Sequence, residues 1–310
     1  MDLRKRAWST ELMEIEGLSP SQWPEIYSPA EVIGEITEVA ARATGLAKGM
    51  PVIAGASDEE VAAVGTGVVK PRSRCYCVAG TIELSYTYSE EPHLEKQVGC
   101  RVHPKKDGWL VGGGVFMTGQ TQRWFKDTFG QEEVDAGKRI GVSPYQVMDL
   151  EAESTGAGPS GIIFLSFPNA ILGLRYDHRK GDIIRAILEG SAYGTRYLIE
   201  LVEKTLGKGV DEVMVSGGAA KSRIWRQIKA DITGRTVLLP EVTEATGFGV
   251  AILAGVGARV YKDIDIAEEL VHVTEKTPPK QEFREKIDKL YAVYEEIRGK
   301  SDLLRAISAV

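Results

Sequence analysis

Apolar residues at spacings of three and four run through the segment 181–207. Ile183, Ala186, Ile187, Leu198, Ile199 and Val202 share one stripe, which predicts a long amphipathic core helix that stops at Gly207. Elsewhere the apolar positions come in short blocks. MPVIAG predicts a strand, followed by an acidic turn at Asp58 and a small-residue helix through EEVAAVGTG. SRCYCVAGTIELSYTY holds two alternating runs around Ala79, Gly80 and Thr81, the pattern of a hairpin with a tight Gly-Thr tip. GWLVGGG predicts a third strand leading into a helix around TQRWFKDTF, and VMDLEAESTGAGPSG is expected to be a loop before the buried strand GIIFLSF. DEVMVSGGAAKSRIWRQIKADITG predicts strand, double glycine and helix. The strand TVLLP, the helix ATGFGVAILAGVGARV and a packing helix carrying Phe283, Ile287, Leu290, Tyr291, Tyr294 and Ile297 complete the chain. At the start, a short helix over residues 8–16 and an irregular SPSQWPEIYSP stretch read as a lead-in. Alternating strands and helices argue an α/β layered fold with helices covering the sheet faces.

Length and charge narrow the classes. The 310 residues correspond to about two domains or one large one, enough to bury a core without disulfide or metal staples. A formal charge of -6 opposes the broad basic surface that nucleic-acid binding needs. No apolar run reaches the ~20 residues of a membrane span, and the charged N-terminus lacks a signal-peptide core, so a cytoplasmic protein is expected. Cys75, Cys77 and Cys100 are too few for a disulfide framework and lack zinc-site spacing. They are expected to be small buried strand residues, Cys75 and Cys77 on one face. The four histidines form no ligand pair or triad signature, and surface or structural roles are expected for each.

Three glycine turns remain as candidate chemistry: Gly80-Thr81, Gly112-Gly113-Gly114 with Gly119 nearby, and Gly217-Gly218. Backbone without a Cβ approaches a phosphate or a base closely, and helix N-termini favour anions. Taken together they suggest a nucleotide site, although each alone is more often structural. No G-x-G-x-x-G completes itself, and Ala220 precedes Lys221-Ser222, so Rossmann, P-loop and protein-kinase classes are disfavoured. The run Asp58-Glu59-Glu60 admits two readings: a catalytic carboxylate at a strand end, or a helix cap with Asp58 as N-cap.

These residues resemble the carbohydrate kinases of the FGGY type, whose ribonuclease H-like fold belongs with the actin, sugar-kinase and heat-shock ATPases. The resemblance runs through GLAKGMPVIAGASDEEVAAVGTGVVKP, VAGTIELSYT, GGGVFMTGQTQRWFKD and VMVSGGAAKSRIWRQIKADITG. It implies that Asp58 is the catalytic base and that Gly80 and Thr81 touch the terminal phosphates. It also implies that Gly119 and Arg123 contact the nucleotide, and that Gly217, Gly218 and Ser222 form the adenosine turn. ATP and Mg²⁺ are the implied cofactors and a pentulose or related sugar the implied substrate. Residues 1–50 are expected to be a remnant of the N-terminal lobe, and 51–310 the C-terminal nucleotide-binding domain.

Three departures from the pattern matter. The D-x-G-T-T hairpin of the family is absent, so the chain resembles only the C-terminal half. The loop before the long helix is shortened to Pro168, Asn169 and Ala170. Ile82 and Glu83 replace the usual small hydroxyl residue after the tip and are expected to perturb nucleotide affinity. The chain is therefore expected to be the nucleotide-binding half of a sugar kinase, working with an N-terminal-lobe chain or as a homo-oligomer. The alternative is a non-catalytic nucleotide-binding or regulatory module of the same fold.

Overall fold

The structure is a computed structural model describing residues 1–166 and 169–300; Pro168 lies outside the described residues. In chain order the elements open with α1 (Thr10–Ile15), β1 (Val32–Glu35), α2 (Glu38–Thr44), β2 (Pro51–Ile53) and α3 (Asp58–Gly65). Next come β3 (Arg74–Ala79), β4 (Glu83–Ser89), β5 (Gly99–Val102), β6 (Trp109–Phe116), α4 (Thr118–Phe129), α5 (Gln131–Ile140) and α6 (Pro144–Ser154). β7 (Ile163–Ser166), β8 (Asn169–Leu172), α7 (Lys180–Leu206), β9 (Glu212–Ser216) and α8 (Arg223–Thr233) follow. The chain closes with β10 (Thr236–Pro240), α9 (Ala245–Gly257), α10 (Ala267–Leu270), β11 (Val273–Thr277) and α11 (Arg284–Gly299). Seven strands form one sheet in the order β11-β10-β9-β3-β4-β6-β5. The α/β expectation holds. The expected loop at 147–161 is corrected: residues 144–154 are the helix α6, begun by a Ser143/Gln146 capping box with Pro144 in its first turn.

The chain divides into two compact units. One comprises Ser73–Ser85, Gly112–Thr243 and Val273 onward. Within it β3, β9 and β10 run parallel, with Cys75 opposite Val213, Cys77 opposite Val215 and Met214 opposite Leu238. These are continuous apolar runs, as strands covered on both faces require. α7 packs against α6, α8 and β7 and ends at Gly207 in the left-handed conformation, where the sequence places its stop. Cys75 and Cys77 are buried free thiols in this core, and Cys100 on β5 is half-buried.

The other unit comprises Met1–Arg72, Tyr86–Val111 and Glu244–His272. Its centre is the pair α3 and α9, which meet backbone to backbone. A Cβ on Gly65 would lie 1.9 Å from the Ala245 carbonyl oxygen, and one on Gly249 1.9 Å from that of Val61. Val61, Val64, Ile252 and Leu253 then close an apolar cluster. Among the described residues no helix is long and apolar enough to cross a membrane.

Candidate functional site

The hairpin tip and the glycine turn after β9 are built from close backbone approaches. At the tip between β3 and β4 the Gly80 N–H donates to the Ile82 carbonyl at 3.2 Å. α4 docks on this tip: the Gly119 N–H donates to Gly80 O at 3.0 Å and the Gln120 N–H to Thr81 O at 3.2 Å. A Cβ on Gly119 would stand 2.3 Å from Gly80 O, so the helix N-terminus reaches the tip only as glycine. Those two N–H groups are thereby spent on the tip.

After β9, Gly217 adopts φ +83° with its would-be Cβ 2.6 Å from Ala79 O, and its N–H donates to Thr243 O at 2.9 Å. A short 3₁₀ turn over Gly218–Lys221 follows, and Ser222 caps α8 by accepting the Trp225 N–H at 3.2 Å. Gly218 differs from its neighbour. A Cβ there meets no heavy atom within 4 Å and φ is not in the left-handed region, so a side chain at 218 enters open space without straining the fold.

One cavity of about 570 Å³ opens between these elements, lined by Gly80, Thr81, Gly119, Arg123, Gly218 and Ser222. Six of the seven binding residues named from sequence thus come together; Gly217 is not among the lining residues and packs against Ala79, which is. α6 and its N-cap add Ser143, Tyr145, Gln146 and Asp149; Asp149 falls within the expected loop and the other three within no expected element. The S-P-x-Q capping pattern with Met148 and Ala152 spaced as one buried stripe is the signal that marks this helix. Three charged side chains line the cavity. Arg123 and Lys221 have no ion pair among the described residues. Burial pushes the Asp149 carboxyl up to about 6, a hydrogen bond from Ser222 opposes that shift and the nearby Glu153 adds to it.

Ile82 and Glu83 behave differently from the expectation that both disturb the nucleotide. Ile82 is exposed, whereas Glu83 points into the core and lines no part of the cavity. Its carboxylate meets Lys229 Nζ at 2.5 Å, Ser191 Oγ and Thr195 Oγ1 at 2.6 Å and Thr118 Oγ1 at 2.7 Å. Burial would raise its pKa, but Lys229 and the two hydroxyls of α7 outweigh this and hold it below the usual carboxylate range. Lys229 also stacks 4.5 Å over the Trp225 ring.

Asp58 lies in the other unit, as the first residue of α3. The N-cap position belongs to Ser57, which makes no side-chain cap bond, so Asp58 is not the cap. Its Oδ1 accepts its neighbour Glu59's N–H at 3.1 Å and the side chain is exposed. The other two carboxylates of the run are engaged: Arg101 bridges Glu59 at 2.8 Å and Glu60 at 3.4 Å. Of three adjacent acids, Asp58 alone has no ion pair among the described residues. A cavity of about 1200 Å³ in this unit is lined by Ser57, Glu60, Tyr86 and Arg101. Among the described residues no group of three or more His, Cys, Asp or Glu is arranged to hold a metal ion.

Comparison with known proteins shows what the chain is similar to. The autoinducer-2 kinase of Enterobacter sp. (strain 638) is 30% identical over 324 aligned positions, covering 97% of this chain and 61% of its own. That of Photorhabdus laumondii is 31% identical over 302 positions, covering 92% and 57%. The chain thus spans about three fifths of the length of these relatives. Among solved structures, xylulose kinase from Rhodospirillum rubrum superposes with a TM-score of 0.81 at 23% identity, over 96% of this chain and 61% of that one. Plasmodium falciparum glycerol kinase with ADP superposes at 0.79 and 17% identity, over 97% and 61%. At these identities the likeness shows the fold, that of the sugar kinases. The C-terminal domain of the FGGY family of carbohydrate kinases matches residues 75–258, and its N-terminal domain matches residues 1–65. The expectation of a C-terminal half alone is corrected by the second match, which reaches through α3. Both matches together show that the chain belongs to the FGGY family of carbohydrate kinases.

Proposed function

We propose that this chain carries the donor-binding site and the base of an ATP-dependent carbohydrate kinase. The observation that supports this most directly is the cavity gathering Gly80, Thr81, Gly119, Arg123, Gly218 and Ser222. It offers glycine backbone for close approach, two cations without ion partners among the described residues and, at Gly218, open space into which any Cβ would project. ATP fits such a cavity with its phosphates toward the Gly80-Thr81 tip and the Arg123 and Lys221 charges. The names of the relatives, autoinducer-2 kinase and xylulose kinase, support a sugar-like acceptor, for which a pentulose or related sugar is the proposed class.

Phosphoryl transfer through a loose transition state asks for positioning and charge stabilisation more than covalent chemistry. In the proposed reaction the sugar oxygen attacks the γ-phosphorus, the bond between γ-phosphorus and bridging oxygen breaks, and ADP leaves. Asp58 accepts the proton of the attacking hydroxyl, a role that suits an exposed carboxylate with no ion pair among the described residues. Arg123 and Lys221 balance charge on the phosphates. Mg²⁺ would supply further counter-charge when it accompanies ATP.

Calorimetry and a coupled ADP-release assay test the reading. Gly218→Val is expected to keep its melting temperature and lose at least about tenfold in ATP affinity, or ~1.4 kcal/mol. Asp58→Asn is expected to bind ATP like the parent and lose turnover by about 10²-fold or more wherever the parent turns over a sugar. Parental ATP affinity in folded Gly218→Val would overturn the donor site. Parental turnover in Asp58→Asn would overturn the base.

A further inference from the structure

One carboxylate lines a cavity otherwise suited to polyphosphate, and its surroundings say what it faces. Asp149 sits on α6, whose start is fixed by the capping box and whose far side buries Met148 and Ala152 at 2% and 0% exposure, so its position is set by a rigid helix. Ser222, which caps α8 by accepting the Trp225 N–H, lines the same cavity as Asp149, opposite α6. The cavity wall therefore presents a carboxylate, with its acceptor oxygens, together with the Gly218 and Ser222 side of the turn. Phosphate oxygens are excluded there, because like charges repel and neither group brings a proton. The complementary ligand group is a hydrogen-bond donor.

Tyr145 lies four residues before Asp149, one helical turn away on the same face, and also lines the cavity. An aromatic face and a carboxylate about 5 Å apart along one helix match a base and its attached ribose. A vicinal diol offers two O–H donors to the two oxygens of one carboxylate. An exocyclic amine offers one N–H beside ring nitrogens whose lone pairs repel it. Resting on the donor-site reading above, we propose that Asp149 is a specificity-determining residue that accepts hydrogen bonds from the ribose hydroxyls of the nucleoside triphosphate, with Tyr145 covering the base.

The test is a cycle of two proteins and three nucleotides read by calorimetry. Wild type and Asp149→Asn are titrated with ATP, 2′,3′-dideoxy-ATP and ITP, each with Mg²⁺. Wild type is expected to bind ATP about tenfold tighter than the dideoxy analogue, and Asp149→Asn to bind the two within about twofold, with the wild-type preference between ATP and ITP unchanged. Equal affinity of wild type for ATP and dideoxy-ATP overturns the proposal without recourse to any variant. So does a preference for ATP over ITP that vanishes in Asp149→Asn, which would move the contact to the exocyclic amine. Absence of any ATP binding to wild type overturns the donor-site reading instead, a result distinct from both.

Discussion

His103 is fully buried and held by both ring nitrogens. Nε2 lies 3.0 Å from the Val68 carbonyl, to which it must donate, and Nδ1 accepts the Lys105 N–H at 2.8 Å. The ring is therefore neutral, and a second proton on Nδ1 would face a donor. Burial lowers its pKa to about 3, with the nearby Lys105 and Arg6 charges adding to the shift and the Val68 bond opposing it. Between about pH 3 and the ordinary value near 6.5 the unfolded chain binds a proton that the folded one refuses, so stability rises with pH across that window and is flat above it. Urea unfolding is expected to show a loss on the order of a few kcal/mol on acidification from pH 7 to 4. His103→Gln, which cannot titrate, is expected to lose most of that slope. An unchanged slope in the variant would show that the charge refused in this window belongs to other groups.

At the scale of elements, two contacts decide the packing. α3 and α9 meet at glycines whose missing Cβ atoms would fall 1.9 Å from carbonyl oxygens, a distance no rotamer change relieves. Gly65→Ala is expected to destabilise by at least about 3 kcal/mol, since backbone must move in one helix or the other. Gly247→Ala on α9, where a Cβ meets open space, is the control, expected within about 1 kcal/mol of the parent in denaturant titrations. The second contact is Glu83 with Lys229, both fully buried, tying β4 to α8 with Ser191 and Thr195 of α7 and Thr118 of α4. Removing one charge strands the other. Lys229→Met is expected to cost about 3–5 kcal/mol, and Glu83→Gln added to it to restore at least ~1 kcal/mol. A double variant no more stable than Lys229→Met would show that the stranded charge is not what destabilises. Because the folded carboxyl of Glu83 titrates below its unfolded value, its stabilisation is present above the ordinary carboxylate pKa and lost as pH falls through the folded one.

For the molecule as a whole, a ligand that binds only the folded state stabilises it by mass action, about 2.7 kcal/mol at a hundredfold excess over Kd. ATP is expected to raise the melting temperature and to slow amide exchange at 79–81, 118–123, 143–149 and 217–222, the segments around the cavity. Protection confined to other segments would place the nucleotide elsewhere. The α/β alternation, the hairpin tip at Gly80, the Gly217-Gly218 turn and the span of α7 to its stop at Gly207 are legible without any tertiary contact. Each of these is written within one element, as a period of apolar positions or a glycine where the chain must turn. Tertiary structure decided the rest. α6 carries a legible start in its S-P-x-Q cap, but only its packing beside α7 sets which way it faces and so brings Tyr145 and Asp149 to the cavity. Glu83 reads as an oddity at a tip until Lys229, 146 residues later, is folded against it. Asp58 is one of three equivalent acids until Arg101, 41 residues beyond Glu60, occupies the other two. A charge acquires its role from its partner, and partners distant along the chain meet only after apolar burial has set which elements lie side by side.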